Sequence, residues 1–419
     1  MKLNKMKYNA RLKTLFYLWM AGLLFGMTAC KKDKNDDNPG QDTVQSELQN
    51  MADQVLTDYT TMYPEYPGGL AVQVIYKENS WFVTSGLASG TTNGIHFRAA
   101  SNTKTFTSTA ILLLHQQGKL NVNARIIDTI PGTDIPYVPD NSDFTIPYKD
   151  QITILQLLQH KAGVFDVSNE IIPDTVSAEV PYKGANYLEW VMEQDYTHTF
   201  TFDELVAVNA LCGLFYFEPA TGYHYSNTGY SILGKIIERV SGMSYSDFVT
   251  THIIHTMNLT HSSMPWMGTD LQIPEPFAPG YIIMPEEINC TESNISGNVA
   301  EGNLITTPYD LAHFLRSLIR GEGVLSTATV NDLMLTPLIP PDTVTKYTCG
   351  ISYTDNLGYG HNGAHEGYLS LMATDPETDY TVVVFTNTWN IEKGLMPGIV
   401  EQIKLLLHES AFGAKEIVQ

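Results

Sequence analysis

The chain has 419 residues, a formal charge of −21 at pH 7 and 43% hydrophobic residues. This hydrophobic fraction can fill a large core and excludes a wholly disordered chain, and the length predicts two to three domains of about 150 residues or one large domain. The acidic balance argues against a nucleic-acid partner, because a phosphate backbone calls for a basic face. Four cysteines are too few for a disulfide scaffold.

Residues 1–29 have the features of an export signal. They carry basic but no acidic side chains, and they include an uncharged apolar run from Leu15 to Met27. That run is shorter than the about 20 residues that a membrane-spanning helix needs, so a basic start with a short apolar stretch indicates a signal peptide. It ends in Thr28-Ala29-Cys30, which resembles the lipobox of bacterial lipoproteins, where the cysteine is acylated and becomes the mature N-terminus. A plain secretory signal with an incidental cysteine is the alternative.

The segment after the cysteine is polar. Residues 31–43 contain no aliphatic or aromatic side chain, which predicts a flexible tether. The predicted organisation is a signal peptide at 1–29, a lipidated Cys30 with its tether at 30–45, and one folded domain at 46–419. The protein would then be held by lipid at the bacterial cell envelope, most simply the outer membrane, facing the periplasm or the surface.

Hydrophobic periodicity predicts strands near both ends of the domain and helices between them. A hairpin is predicted at 70–76 and 80–88, and two further strands at 367–375 and 380–387. Helices are predicted at 44–62, 105–120, 152–163, 231–242, 309–319 and 395–409, with a loop at 131–150. The simplest arrangement is an α/β (α+β) fold in which an antiparallel sheet flanked by helices carries a large, mainly helical insertion. A cleft between sheet and insertion is a natural place for chemistry.

The first chemical motif is Ser101-Asn102-Thr103-Lys104, where an extended segment turns into a helix. Residues three apart share a helix face, so the Lys104 ammonium can reach the Ser101 hydroxyl, and a helix N-terminus favours a developing oxyanion. Lys104 can activate the serine if burial lowers its pKa. Because roughly one such match is expected by chance, the alternative is Ser101 as a helix N-cap and Lys104 as a solvated charge.

A second motif, Tyr225-Ser226-Asn227, lies on a loop directly before a helix. Tyr225 can shuttle a proton to and from Ser101, and the Asn227 amide can hold both Lys104 and a substrate carbonyl. The alternative is Asn227 as the helix N-cap and Tyr225 as a half-buried loop aromatic.

The third element is the glycine-rich run 360–367, GHNGAHEG. His361 can be cationic and face a substrate carboxylate or a leaving group, and the alternative is a strand turn with a structural histidine. His361 and His365 are four apart, but Gly363 and Gly367 interrupt helical geometry and no third ligand is close in sequence, so no metal site is predicted.

Taken together and in order, the three motifs resemble those of the serine β-lactamase and penicillin-binding-protein superfamily. The resemblance is greatest to the class C β-lactamase and D-Ala-D-Ala carboxypeptidase branch, whose motifs are Ser-x-x-Lys, Tyr-x-Asn and Lys/His-x-Gly, and it covers about residues 50–410. It implies a β-lactamase/transpeptidase-like fold and an acyl-enzyme on Ser101, with Lys104 and Tyr225 sharing the acid and base work and Asn227 orienting the substrate. The oxyanion hole would be formed by the backbone N–H groups of Ser101 and Ala364, with His361 on a strand of the opposite wall.

The third motif departs from the typical pattern. His361 replaces the lysine of typical β-lactamases, and Asn362 replaces a hydroxyl residue that commonly binds a substrate carboxylate. Asn362, Gly363 and His365 are the expected substrate-binding residues. The departures favour D-alanyl carboxypeptidase, esterase or amidase chemistry over a class C-like β-lactamase. A penicillin-binding or sensory lipoprotein that acylates without turnover is a further alternative.

The partners implied are a small-molecule or peptide substrate, such as a cell-wall peptide, a β-lactam or an ester, and the lipid anchor. No cofactor is implied, and we expect a monomer.

Overall fold

A seven-stranded sheet lies at the centre of the computed structural model, which describes residues 40–284, 286–335 and 346–419. Its strands are β1 (Leu70–Tyr76), β2 (Asn79–Ser85), β7 (Lys346–Tyr347), β8 (Ser352–Thr354), β9 (Gly358–His365), β10 (Tyr368–Asp375) and β11 (Tyr380–Thr386). All neighbouring strands pair antiparallel, in the spatial order β2-β1-β11-β10-β9-β8-β7. The chain enters the sheet at its N-terminal hairpin and returns to it at the C-terminus.

Two smaller sheets attach the insertion to this core. One pairs β3 (Phe97–Arg98) with β6 (Ile305–Thr306), and the other has the order β12-β4-β5, formed by β12 (Thr388–Asn390), β4 (Tyr281–Met284) and β5 (Glu286–Asn289). The first pairing joins the start and the end of the inserted segment to each other, and the second joins the insertion to the residues that follow β11.

Helices cover both faces of the sheet. They are α1 (Gln41–Met62), α2 (Thr103–Gln116), α3 (Ile154–Leu158), α4 (Tyr187–Met192), α5 (Phe202–Cys212), α6 (Asn227–Ser241), α7 (Tyr245–Val249), α8 (Pro308–Ile319), α9 (Thr327–Thr329), α10 (Leu395–Gln402) and α11 (Glu409–Val418). The predicted α/β fold, with an antiparallel sheet and flanking helices, is confirmed. None of the described helices is long and apolar enough to cross a membrane.

The alternation of side chains along each strand divides the core. On β1, Ala71 and Ile75 face the cluster that contains α2, α6 and α8, whereas Val72 and Val74 face α1 and the C-terminal helices. Strand β11 divides in the same way. Because both faces are covered, these central strands are buried along almost their whole length and are mostly apolar, rather than alternating between buried apolar and exposed polar residues.

The N-terminal boundary differs from the prediction. Helix α1 begins at Gln41, so the last residues of the predicted tether are helical, and the boundary at residue 45 is wrong. Val44 and Leu48 are already buried against the sheet, which explains why the helix extends this far. The predicted signal peptide and Cys30 lie outside the described residues.

The insertion is less helical than predicted. Between its helices the chain follows irregular paths that side-chain amides hold in place, as where the Asn294 amide donates to the carbonyls of Tyr196 and His198 at 2.8 Å each. Asn209 likewise donates to the Phe165 carbonyl. Such links satisfy buried backbone groups without regular structure, so hydrophobic periodicity gives no signal for them.

Strand β9 and the C-terminal end of the chain also differ from the prediction. The sequence of β9, GYGHNGAH, lacks a regular apolar pattern, and it forms a strand because β8 and β10 pair with it on either side. At the C-terminus, α10 continues through a π-helical segment, Ile403–His408, into α11, so the last helix is longer than expected.

Because Leu48 is fully buried, we predict that Leu48→Ala lowers the free energy of unfolding by about 2–5 kcal/mol. Leu211, which is 61% exposed, provides the matched control, and Leu211→Ala should change that free energy by less than about 0.5 kcal/mol. Urea denaturation of the purified proteins measures both. Equal effects of the two substitutions would show that α1 is not part of the core.

Candidate active site

Ser101 lies in a tight turn between β3 and α2. The turn, Ala100–Asn102, is 3₁₀-helical, and Ala100 adopts a φ of 51°, a left-handed conformation that is unfavourable for a residue with a side chain. The Asn102 amide holds the turn in place by donating to the Ala99 carbonyl and to Ser370 Oγ on β10, both at 2.8 Å. No side-chain cap is present at the start of the 3₁₀ turn or of α2, so the alternative of Ser101 as an N-cap is wrong.

Lys104 is buried beneath this turn, with none of its surface exposed. Its Nζ donates to Ser101 Oγ at 3.2 Å and to the backbone carbonyl of Glu301 at 3.0 Å. It also lies 4.7 Å from the ring centroid of Tyr225. The alternative of a solvated surface charge is therefore wrong.

The surroundings of Lys104 lower the proton affinity of its amine. Burial lowers the pKa of Lys104 to about 8, against the opposing effect of the carboxyl groups of Glu301 and Asp166. The charged ammonium is less stable without water, and the two acids recover part of that loss. A neutral amine thus becomes accessible near physiological pH, directly beside the serine hydroxyl.

Tyr225 directly precedes Ser226, the N-cap of α6, and its phenol lies beside Ser101. Loss of solvent raises the pKa of Tyr225 well above its ordinary value, so the side chain is a neutral phenol at physiological pH. The His160 ring lies against it with the centroids 4.3 Å apart, and the Ser226 backbone N–H donates to His160 Nδ1 at 3.1 Å. These contacts position the tyrosine loop over the Ser101 turn.

Asn227 is the first residue of α6 and is 7% exposed. The N-cap is Ser226, whose hydroxyl accepts from the Gly229 backbone N–H, so the alternative of Asn227 as the cap is wrong. The Asn227 backbone lies close to the buried Asp166 carboxyl group and helps to stabilise its charged form. The Oδ1 of Asn227 is buried without a hydrogen-bond partner among the described residues.

His361 lies on β9 and is 6% exposed. Its Nε2 is 3.1 Å from Tyr347 Oη, and its Nδ1 is 2.6 Å from the Asn362 carbonyl. Burial, followed by the positive charge of Lys104, lowers the pKa of His361 to about 3. Desolvation beside another positive charge thus disfavours the cationic form of His361 and favours the neutral ring. Among the described residues, no group of three or more His, Cys, Asp or Glu side chains could hold a metal ion.

The end of β9 approaches the Ser101 turn closely. A side chain at Gly363 would collide with the Ala99 carbonyl and with Ser370 Oγ, so glycine allows the strand and the turn to pack together. Ala364 next to it is exposed, and its strand partner is Leu369. In an antiparallel pair, alternate residues direct their N–H groups away from the partner strand. Residue 363 pairs with 370 and residue 365 closes the hairpin with 368, so we expect the Ala364 N–H to face the open edge beside Ser101. Asn362 and His365 are half-buried along the same strand.

Several residues of the site were not found by sequence reasoning. Glu301 and Asp166 are buried carboxyl groups whose charges act on Lys104, while Tyr347 and His160 surround Tyr225 and His361. All four lie outside the three motifs, and Glu301 and Asp166 lie in irregular segments, so no spacing or periodicity indicates that they meet.

The sequence model of the Beta-lactamase family matches residues 65–396. Protein flp of Staphylococcus aureus (strain NCTC 8325 / PS 47) is 26% identical over 318 residues, which are 73% of this chain and 55% of that protein. Penicillin-binding protein 4* of Bacillus subtilis (strain 168) is 26% identical over 305 residues, 70% of this chain and 60% of that protein. The chain therefore spans little more than half the length of the curated relatives it matches.

Solved structures show the same fold. The D-stereospecific amidohydrolase from Streptomyces sp. superimposes with a TM-score of 0.66 at 24% identity, covering 85% of this chain and 98% of that one. The D-amino acid amidase from Ochrobactrum anthropi SV3, complexed with L-phenylalanine amide, gives 0.64 at 25% identity, covering 87% and 98%. Since the family match extends over most of the chain, and the fold agrees with it, the protein belongs to the Beta-lactamase family, within the β-lactamase and penicillin-binding-protein superfamily.

Proposed function

We propose that the protein is a serine acyl hydrolase that forms an acyl-enzyme on Ser101 and acts on an amide or ester of a D-amino acid, with D-amino acid amides, esters and D-alanyl peptides as the candidate substrate classes. The observation that carries the proposal is the fully buried Lys104, whose Nζ donates to the Ser101 hydroxyl while the neutral phenol of Tyr225 lies beside it. A free serine is a poor nucleophile, and this arrangement supplies both a proton acceptor and a proton donor.

Lys104 is proposed as the base and Tyr225 as the acid. Neutral Lys104 takes the Ser101 proton as Oγ bonds to the substrate carbonyl carbon, because its pKa is lowered to about 8 whereas that of Tyr225 is raised. The tetrahedral intermediate then breaks its bond to the leaving group, which receives a proton from Tyr225. Lys104 returns a proton to the phenol, and attack of water on the acyl-enzyme releases the product acid and regenerates Ser101.

The backbone N–H groups of Ser101 and Ala364 are proposed to stabilise the developing oxyanion. The position of Ser101 at the start of α2 adds the favourable potential of a helix N-terminus. Donors of this kind each lower the barrier by about 3–4 kcal/mol in enzymes where one has been removed. Asn227, at the first position of α6, is proposed to orient the substrate through its side-chain amide.

The wall formed by β9 supports D-amino acid amides and esters, which need carry no carboxylate, over β-lactams and D-alanyl peptides, which carry one. His361 is neutral, Asn362 offers an amide rather than a hydroxyl, and neither provides the positive charge that would attract a substrate carboxylate. Asn362, Gly363 and His365 are proposed to bind the substrate along this strand. The relatives point the same way, since the solved neighbours include a D-amino acid amidase and a D-stereospecific amidohydrolase, and the curated relatives include a penicillin-binding protein.

We predict that Ser101→Ala abolishes a covalent adduct that the wild type forms with an activated ester or a penicillin. Loss of the nucleophile should reduce turnover by at least about 10³-fold. Intact-protein mass spectrometry detects the adduct, and a panel of D-alanyl peptides, D-amino acid amides, short esters and β-lactams identifies the substrate. Ser89→Ala, at an exposed position outside all three motifs, serves as a comparison variant that should still form the adduct.

The panel also separates the alternatives. Wild-type protein that forms no adduct with any member would contradict the proposal. Rapid turnover of a chromogenic cephalosporin together with inert D-alanyl peptides would identify a class C-like β-lactamase instead. Adducts that persist with every member would identify a receptor that acylates without turnover.

The pKa of Lys104 predicts how activity depends on pH. Its folded-state pKa is lowered to about 8 and the active form is the neutral amine, so kcat/KM should rise with pH and reach half its maximum near pH 8. Stopped-flow acylation by an activated ester measures this limb in the free enzyme. Lys104→Arg, which stays protonated, should lose activity at every pH. A wild-type limb centred well below neutrality would exclude Lys104 as the base.

We also propose that Cys30 is lipidated and holds the enzyme at the cell envelope, on the basis of the leader sequence described above. Expression of the full chain in a Gram-negative host with an alkyne fatty acid should label the protein, and Cys30→Ser should abolish the label and release the protein into the soluble fraction. Membrane association that persists unlabelled in Cys30→Ser would refute the anchor.

A further inference from the structure

Glu301 contacts Lys104 through its backbone and places a carboxyl group in the same buried region. Its carbonyl accepts from Lys104 Nζ at 3.0 Å, and its side chain has no exposed surface. Oε1 accepts from Ser168 Oγ at 3.2 Å and from Asn298 Nδ2 at 2.9 Å, whereas Oε2 is buried without a partner among the described residues. A buried carboxyl group with one free oxygen is costly to keep, which indicates a role beyond packing.

A second buried carboxyl group approaches from another segment. Asp166 is also fully buried and accepts from the backbone N–H of Ser168 at 3.1 Å and from the Asn169 amide at 2.8 Å. The Ser168 hydroxyl binds Glu301 while its N–H binds Asp166, so one residue holds both acids in place. The charges of the two acids both act on Lys104, so the three side chains form one electrostatic group.

We propose that Glu301 is a positioning residue that acts through Lys104: its carbonyl directs the amine at Ser101, and its carboxyl group, together with Asp166, sets the pH at which Lys104 releases its proton. The inference rests on the proposed function, since it assigns a control to the same base.

The other titratable groups around Lys104 carry little charge at physiological pH. Tyr225 and Tyr230 lie against the ammonium from the side of α6, and burial raises the pKa of both phenols. His160 and His361 approach from the α3 end and from β9, and burial lowers the pKa of both rings. Asp166 and Glu301 therefore remain as the groups whose charge acts on the lysine.

The proton balance follows from the same geometry. Burial raises the pKa of Glu301 to about 8, with the Lys104 charge opposing the rise, so its carboxyl group is largely protonated at neutral pH. As the pH rises, Glu301 and Lys104 lose protons over the same range, and each carboxylate that forms favours the charged amine. Glu301 thus delays the appearance of the neutral base.

The test compares the pH dependence of kcat/KM for a p-nitrophenyl ester in wild type, Glu301→Gln and Glu301→Asp. Gln keeps an oxygen for Ser168 and Asn298 but cannot ionise, so the rising limb should move to lower pH by about one unit. Asp keeps the charge and should restore the limb toward its wild-type position. Glu170→Gln is the matched control, because Glu170 is a nearby acid coupled to Asp166 rather than to Lys104, and its limb should stay in place.

If the rising limb of the kcat/KM–pH profile of Glu301→Gln coincides with that of the wild type, the proposal is overturned and Glu301 is a packing residue. This holds whatever the change in kcat. A second measurement needs no catalytic turnover: infrared titration through neutral pH should show, in the wild type, a protonated carboxyl band that disappears as the pH rises and that is missing from Glu301→Gln. A spectrum in which Glu301→Gln matches the wild type would also overturn the proposal. If the wild type turns over no ester, the proposed function fails, and the infrared titration still tests the ionisation of Glu301.

Discussion

The site depends on the burial of one lysine. Lys104 has no exposed surface, and it hydrogen-bonds both to the serine three residues earlier and to a backbone carbonyl almost two hundred residues later in the chain. An amine in water would stay protonated and could not act as a base at neutral pH. Removing the water is therefore the step that gives the Ser-x-x-Lys spacing its chemistry, and the rest of the fold supplies the enclosure.

That enclosure requires three segments distant in sequence to meet at one turn. The Ser101 turn is bonded to β10 through Asn102 and Ser370, β9 passes close to it at Gly363, and the tyrosine loop lies over Lys104. The three contacts are chemically different: the first is a hydrogen bond from the Asn102 amide, the second is close packing allowed by the missing side chain of Gly363, and the third is the Tyr225 ring against Lys104. The sheet, buried on both faces, provides the rigid frame against which these contacts can be maintained.

The charges of the site follow from the same exclusion of water. His361 and Tyr225 are both held neutral, and the charge near Lys104 is left to two carboxyl groups, Glu301 and Asp166. The neutral histidine has a consequence for specificity, because β9 then presents hydrogen-bonding groups rather than a cation to a ligand. The motif has the expected residue, but its charge state is decided by what surrounds it.

By itself the sequence determined the sheet strands with strong apolar patterns and the main helices. It also determined the three motifs, of which the first two contain Ser101, Lys104, Tyr225 and Asn227. Spacing and periodicity are local properties of the chain, and they were enough for these features. The strand at 358–365 and the early start of α1 were settled by pairing and packing with distant segments. The neutral state of His361 and the approach of Glu301 to Lys104 were likewise decided only by the tertiary structure. Burial and electrostatic coupling arise from residues that are far apart in sequence, and no local pattern records which of them share a desolvated space.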